Sequence, residues 1–319
     1  MQPTRLFDWG YGVHMIDGYD LGIPGRTGIY VLEGDAPALV ETGPAPSIPY
    51  IKAGLQELGY SPADIRYIIV THIHLDHAGG AGLLLQSCPQ AKVVVHPRGK
   101  RHLADPTRLV QGARMVYGEQ FDQLFDPIVP IPEERLIVKE DGDSLDLGGG
   151  RRLGFIDSPG HAAHHFSFFD PLSRGWFTGD TAGVRYHQTE DLGFSFYLPS
   201  TSPNQFDPDA MKQSIKRMAE RKPERLFFGH FGMSNEPKEV FRQVTAELDH
   251  FVAIATEAMT AGEGAEGIER RLVERYRVAS EQRGCGLDHP VWEGLKLDMN
   301  VCAMGLEHYL RKQAETHNR

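Results

Sequence analysis

The chain has 319 residues, a formal net charge of −10 at pH 7 and 24% charged residues. With 40% hydrophobic residues, this composition is typical of a folded, soluble protein and excludes an intrinsically disordered one. The acidic balance argues against a protein that coats nucleic acid, because neutralising phosphates requires clustered Lys and Arg. We therefore expect one large domain with an appendage, or two modest domains, and no nucleic-acid partner.

The sequence contains no apolar stretch near the ~20 residues that cross a bilayer, so we expect no membrane partner. The first ten residues lack the apolar core of a secretory signal, and we expect a cytoplasmic location. The three cysteines, Cys88, Cys285 and Cys302, show no CxxC spacing. This pattern indicates neither a disulfide framework nor a cysteine zinc site, and it favours buried thiols.

Short apolar runs in the first half of the chain predict strands that alternate with helices. The predicted strands are 28–32, 38–41, 67–70 and 92–96. Apolar residues at helical spacing predict helices at 47–58 and 81–87. The polar segment 97–127 has a helical tendency and is predicted to form a lid or a surface insertion. Strands alternating with helices indicate an α/β fold.

The second half begins with β-type runs and ends with helices. Strands separated by Gly and Pro turns are predicted as a meander at 136–138, 144–147, 153–156, 166–169 and 176–178. A helix at 207–221, capped by Asp207, precedes a last strand at 225–228. Beyond residue 236 a 3.6-residue apolar period predicts three helices. We expect an α/β domain at 1–235 and a helical extension at 236–319 that packs on this domain or on a partner subunit.

Histidines are concentrated in three short segments, which hold seven of the fifteen. The densest segment, THIHLDH, directly follows the predicted strand 67–70 and contains His72, His74, Asp76 and His77. Residues two apart on an extended loop can turn both rings toward one ion. Imidazole and carboxylate are the ligands expected for Zn²⁺, and for Fe or Mn where a carboxylate is present. The segment therefore predicts a metal site that needs no cysteine.

The HxHxDH pattern at 72–77 resembles the signature of the metallo-β-lactamase superfamily. Three more landmarks occur in the family's order, each after a β-type run: His161 in SPGH, Asp180 in FTGD and His230 in FGH. The resemblance spans residues from about 10 to 232. It implies a four-layered αβ/βα sandwich of the α/β class with its site at one edge, here followed by a C-terminal all-helical extension.

The resemblance also implies two bound divalent metal ions, most simply Zn, with Fe or Mn as alternatives. The implied ligands are His72, His74, Asp76, His77, His161, Asp180 and His230. In the family's pattern the HxH pair and His161 hold one ion, Asp76, His77 and His230 hold the other, and Asp180 bridges them. The implied reaction is hydrolysis by a metal-bridging hydroxide, since metal coordination lowers the pKa of water from ~15.7 to near 7. Asp76 is also predicted to be catalytic, passing a proton to the leaving group.

Further residues are predicted to support the ligands or to line the substrate pocket: Glu41, Thr71, His165, Thr181, Arg185 and Tyr186. The family often has Asp where this chain has Glu41, and His165 matches a second family histidine of structural role. For Arg185 and Tyr186, packing against the C-terminal helices is the alternative. His164 is an additional histidine, for which a substrate contact and a surface role are both open.

The leading hypothesis is a binuclear metal-dependent hydrolase that cleaves an ester-type bond in a small molecule. The sequence resembles thioester hydrolases of glyoxalase II type, acyl-homoserine lactonases and PqsE-like hydrolases. One alternative is a mononuclear non-haem iron enzyme of sulfur-dioxygenase type. Another is a metal-retaining ligand-binding regulator with little turnover. The ligands cannot identify the substrate, since specificity lies in loops. A homodimer through the helical extension is also expected.

Overall fold

The computed structural model describes residues 3–317, and most of its strands belong to two large β-sheets. The strands of the first sheet are β1 (Leu6–Asp8), β2 (Val13–Asp17), β3 (Gly28–Leu32), β4 (Ala38–Val40), β5 (Tyr67–Ile69), β6 (Lys92–Val95) and β7 (Leu136–Val138). Those of the second sheet are β8 (Ser144–Asp146), β9 (Arg152–Asp157), β10 (Phe166–Asp170), β11 (Gly175–Gly179), β14 (Arg225–Phe228) and β15 (Met233–Ser234). A separate short pair consists of β12 (Val184–Arg185) and β13 (Tyr197–Leu198).

The helices fall between the strands and at the end of the chain. Within the first 125 residues they are α1 (Ile48–Glu57), α2 (Leu75–Ala78), α3 (Ala81–Leu85), α4 (Pro97–Ala104), α5 (Thr107–Tyr117) and α6 (Phe121–Phe125). The later helices are α7 (Pro208–Glu220), α8 (Pro237–Thr260), α9 (Gly264–Glu281) and α10 (Val291–His317). The three C-terminal helices predicted from the 3.6-residue period are confirmed. No helix in the described part of the chain is long and apolar enough to span a membrane.

The first sheet runs in chain order from β1 to β7. Strands β1 to β4 pair antiparallel. Strands β4 to β7 pair parallel, because each helical connection brings the chain back to the end of the sheet where the previous strand began. Strand β7 was predicted as the first strand of the meander, and this is wrong. It pairs parallel with β6, since the insertion at 97–127 carries the chain back across the first sheet.

The second sheet has the order β15-β14-β11-β10-β9-β8. Strands β8 to β11 form the predicted antiparallel meander, and β14 joins β11 in parallel. The two sheets share an apolar core, in which the rings of Phe168, Phe177 and Phe227 stack with centroids 4.9 and 4.6 Å apart. On its other side the first sheet carries α1 and α3, whose predicted apolar stripes are buried. This packing fixes the strand ends from which the metal-loop residues project.

Contacts divide the chain into two compact units. The first contains the described residues up to 157 together with 164–179 and 223–236, and so holds both large sheets. The second contains 158–163, 180–222 and the described residues after 236, and so holds α7 to α10. The second unit therefore combines the residues after 236 with two segments that lie earlier in the chain. The predicted domain boundary at residue 236 stays a prediction.

The second unit has an apolar interior of its own. Helix α8 packs against α7, α9 and α10, and α9 against α10. The predicted stripes are buried, with Leu248, Phe251, Leu272 and Leu295 all fully inaccessible. This burial explains how helices with narrow apolar faces are stabilised.

The three cysteines are buried, as predicted, and burial raises the pKa of each thiol, to about 11 for Cys88 and about 12 for Cys302. At pH 8 each side chain is therefore a neutral thiol and not the reactive thiolate. We expect no reaction of the native protein with a chromogenic disulfide reagent, and three equivalents after denaturation. A thiol that reacts rapidly in the native protein would contradict this placement.

Candidate metal centre

The metal loop, residues 71–77, leaves the carboxyl end of β5 and turns into α2. His72 and His74 lie on its extended part, and His74 is the N-cap of α2, with φ −61° and ψ 149°. Asp76 and His77 lie on the first turn of α2 itself. This single turn was not predicted, and it aims Asp76 and His77 differently from the two preceding histidines.

His72 and His74 form the first pair of donors. His72 Nε2 lies 3.0 Å from His74 Nδ1. Two nitrogens bound to a tetrahedral Zn²⁺ at about 2.0–2.1 Å lie about 3.3 Å apart. The pair therefore has close to the spacing that a shared ion requires, although the HxH residues are only two apart in the chain.

Asp76, His77 and His230 form the second donor group. Asp76 Oδ2 lies 3.4 Å from His77 Nε2 and 3.6 Å from His230 Nε2. The three donor atoms lie within 4.8 Å of one another, so one ion can contact them all. His77 and His230 are buried, whereas the Asp76 side chain is 23% exposed. A carboxylate in this position can bind an ion and still meet a solute.

His230 reaches this group because the end of β14 is tied to the first sheet. The Gly28 amide donates to the Gly229 carbonyl at 3.1 Å, and the Tyr30 hydroxyl contacts the Phe228 carbonyl at 2.7 Å. These bonds join the start of β3 to the residues just before His230. The predicted strand at 225–228 therefore places its following histidine beside α2.

Glu41 supports the metal loop from behind. Its carboxylate accepts hydrogen bonds from the Thr71 hydroxyl and the Thr71 amide, and lies 3.5 Å from His77 Nδ1. Glu41 has φ 62°, a left-handed conformation that costs about 1–2 kcal/mol outside glycine. Thr71 also contacts His72 Nδ1 at 3.1 Å. Glu41 and Thr71 thus lie where side chains that orient the ligand histidines would be expected.

A Glu41→Gln substitution is expected to weaken metal binding by about 10–100-fold, as loss of a ligand-orienting group typically does. The amide removes the negative charge beside His77 and one of the two acceptor oxygens available to Thr71. Competition with a chromophoric chelator measures the effect. Glu57→Gln, at an exposed position of α1, is the control. Equal metal affinity in both variants would contradict a supporting role for Glu41.

The two neighbouring histidines, His164 and His165, are both buried. His165 stacks on His72 with ring centroids 4.9 Å apart, and its structural role stays a prediction. The His164 ring lies 5.4 Å from that of His74, edge to face. A surface role for His164, one of its two predicted alternatives, is wrong because the side chain is only 7% exposed.

The insertion at 97–127 packs beside the metal loop within the first unit. Phe121 and Phe125 of α6 are buried with Leu75, the first residue of α2. Helix α5 has no buried residue. The insertion is therefore anchored through α6 next to Asp76, while α5 remains at the surface.

The second unit contains the other two predicted ligands. His161 Nε2 lies 3.5 Å from Asp180 Oδ2, again close to the edge of a tetrahedral site, and both residues are buried. His161 Nδ1 lies 3.0 Å from the Ser200 carbonyl oxygen. A carbonyl there fixes the ring and leaves Nε2 as the donor to an ion.

The segment 158–163, which carries His161, is held on several sides. The Thr181 hydroxyl donates to the Ser158 carbonyl at 2.7 Å, and the supporting role of Thr181 stays a prediction. The Ser214 hydroxyl of α7 donates to the Pro159 carbonyl at 2.7 Å. Gly160 has φ 132°, and a Cβ there would lie 2.3 Å from the Met211 backbone. This close approach requires glycine in the SPGH motif.

Arg185 and Tyr186 have structural partners. The Arg185 guanidinium pairs with Glu190 at 2.6 Å, and the Tyr186 hydroxyl donates to Asp298 of α10 at 2.8 Å. Tyr186 is 5% exposed. The structure thus favours packing against a C-terminal helix for Tyr186, the alternative stated for it, and a substrate contact stays a prediction.

Two elements near the donors were missed from the sequence. One is the Ser200 carbonyl, which leaves no side-chain signal. The other is Asp20, which is 1% exposed and pairs with Arg26 at 3.1 Å. Burial raises the pKa of Asp20 to about 6, opposed by the charge of Arg26 and reinforced by that of Asp76. The sequence GYDLGIPGR reads as a loop, and nothing in it indicates burial of this carboxyl.

The sequence profile of the metallo-beta-lactamase superfamily matches residues 22–230, a range that includes the metal loop, His161, Asp180 and His230. The chain belongs to this superfamily. A metallo-beta-lactamase fold-containing protein, ST1585 of Sulfurisphaera tokodaii, is 30% identical over 227 residues, covering 70% of this chain and 79% of that protein. N-acyl homoserine lactonase AttM of Azorhizobium caulinodans is 28% identical over 181 residues, covering 56% of this chain and 62% of AttM.

Solved structures show the same fold. The structure of ST1585 matches with a TM-score of 0.62 at 28% identity. The match covers 76% of this chain and 86% of the ST1585 chain. The metallo-beta-lactamase family protein TTHA1429 of Thermus thermophilus has a TM-score of 0.67 and covers 96% of this chain and 95% of that chain. At 20% identity, TTHA1429 is evidence for the fold alone. The predicted α/β metallo-β-lactamase fold with a C-terminal helical region is confirmed.

Proposed function

We propose that this protein is a binuclear metal-dependent hydrolase that cleaves an ester-type bond, a lactone or a thioester, in a small molecule. The observation that carries the proposal is the donor group of Asp76, His77 and His230, whose spacing and chemistry suit one divalent ion. The similarity to N-acyl homoserine lactonase AttM supports an ester-type substrate.

We propose that His161 and Asp180 complete the metal centre with the residues of the metal loop. Within the first unit, Gly179 lies against the loop, because a Cβ on Gly179 would be 2.5 Å from Thr71 Oγ1. Asp180 is the next residue in the chain, and its carboxylate lies beside His161. The assignment of two ions follows the family's order of ligands, with His72, His74 and His161 at the first.

The donor set suits Zn²⁺, Fe or Mn, since it consists of imidazoles and carboxylates. Two divalent ions bound there would lower the pKa of coordinated water from ~15.7 to about 7 and so supply a nucleophile at neutral pH. Among the second donor group, Asp76 is the most exposed. We therefore assign it the transfer of a proton to the leaving group, in addition to metal binding.

A panel of lactones, thioesters and phosphodiesters, assayed at known metal content, tests the substrate class. We expect turnover of at least one lactone or thioester and slower turnover of phosphodiesters. If the metal-loaded protein hydrolyses no member of the panel, the proposed function is wrong. One iron per chain with oxygen uptake on a persulfide would instead support the sulfur-dioxygenase alternative. The cytoplasmic location and the homodimer stay predictions.

A further inference from the structure

One face of α10 contacts the loop that holds His161. This loop, residues 199–207, follows β13 and lies in the second unit with α10 and His161. The residues of α10 that contact this loop follow the spacing i, i+3, i+7, which places them on one side of the helix: Cys302, Gly305 and Tyr309. A displacement of these three residues, the α10 stripe, can therefore displace the loop.

Two residues of the α10 stripe, Cys302 and Gly305, lie close to polar groups of the loop. The buried Thr201 hydroxyl donates to the Cys302 carbonyl at 3.0 Å, and the Cys302 thiol lies 3.7 Å from the Pro199 carbonyl. A Cβ on Gly305 would lie 1.6 Å from the Thr201 carbonyl oxygen, so the helix and the loop touch through their backbones. Helix-interior glycine is costly, and this close approach explains it.

The same loop contacts the His161 segment on its other side. The Ser200 carbonyl lies 3.0 Å from His161 Nδ1, and Ser202 Oγ lies 3.5 Å from His161 Nε2. Gln205 accepts a hydrogen bond from the Ala163 amide, and the Asp207 amide donates to the Gly160 carbonyl. Ser200 thus lies between His161, whose ring it contacts, and Thr201, which is bonded to α10.

We infer that α10 is a positioning element of the metal centre, which acts through Thr201 and the Ser200 carbonyl to orient His161. The inference rests on the proposed function insofar as His161 is a metal ligand. On this inference the placement of α10 affects the metal affinity of the site that contains His161. Without it, the placement of α10 would affect only the stability of the fold. Thr201 and Gly305 are the positioning residues, and neither is a proposed ligand.

Two substitutions in the full-length chain test this inference. Gly305→Ala adds a methyl group at the helix–loop contact, and Thr201→Val removes the hydroxyl bonded to the Cys302 carbonyl at nearly constant volume. We expect both to weaken binding of one metal equivalent by about 10–100-fold in chelator competition. We also expect the visible absorption bands of the Co²⁺-substituted protein to shift. Thr201→Ser keeps the hydroxyl that Thr201→Val removes. We expect this variant to show the metal affinity and the Co²⁺ absorption bands of the wild type.

Gly112→Ala is the matched control, because Gly112 lies in a helix with open space around its Cβ position. If Gly305→Ala prevents folding, Thr201→Val alone decides the question. Folded variants with lower thermal stability but unchanged metal affinity and an unchanged Co²⁺ spectrum would overturn the inference. Failure of the proposed function would give a different result. The wild-type protein would bind metal with the expected affinity and Co²⁺ spectrum but would hydrolyse no ester.

Discussion

An Asp76→Asn variant is expected to bind one metal ion fewer per chain than the wild type and to lose about 10²–10⁴-fold in turnover, the usual range for a missing acid–base group. Asp76 Oδ2 lies close to both His77 Nε2 and His230 Nε2. A neutral amide is a poor ligand for a divalent cation, and it does not donate or accept a proton at neutral pH. Elemental analysis and steady-state rates measure the two effects.

The control for Asp76→Asn is Asp209→Asn, which makes the same chemical change at an exposed position on the first turn of α7. The control should retain the wild-type metal content and rate. An Asp76→Asn variant with two metals and full turnover would exclude Asp76 as both ligand and proton donor. Two metals with reduced turnover would limit Asp76 to proton transfer.

A His72→Ala variant is expected to lose roughly 10²-fold or more in affinity for one metal ion. Structural zinc sites with four ligands contribute about 10–16 kcal/mol, so one ligand accounts for about 3 kcal/mol. Each 1.4 kcal/mol is a tenfold change in affinity. Hydrolysis should fall in parallel at limiting metal, because the ion would lose one of its two paired donors and keep only His74 Nδ1.

Excess Zn²⁺ separates the two consequences of His72→Ala. If His72 acts as a ligand, high metal concentrations should refill the site and recover part of the activity. His250→Ala, which removes an exposed histidine of α8, is the matched control and should leave affinity unchanged. A His72→Ala variant with wild-type metal affinity would contradict the ligand assignment.

The strands and helices of this chain were largely predictable because their apolar residues are local and periodic. The run YII in β5 and the stripe of Leu248 and Phe251 in α8 show their burial directly in the sequence. The partner of a strand is not local information. Strands β7 and β8 were both predicted from short β-type runs and assigned to one meander, yet the two belong to different sheets.

The donors of the candidate site were predictable for a different reason. His72, His74, Asp76 and His77 are dense enough in the chain to indicate metal chemistry, and the remaining landmarks follow from resemblance to the family. The groups that orient these side chains were harder to predict. The Ser200 carbonyl has no side-chain signature, and the contact between Gly305 and Thr201 joins residues about a hundred positions apart.

Titration of the metal-free protein with Zn²⁺, with hydrolysis of a responsive lactone or thioester followed in the same samples, tests the central claim most directly. A binuclear hydrolase predicts that activity rises with added metal and reaches its plateau at two equivalents per chain. A plateau at one equivalent would contradict the binuclear centre. Hydrolysis that persists in the metal-free protein would contradict the metal-dependent mechanism as a whole.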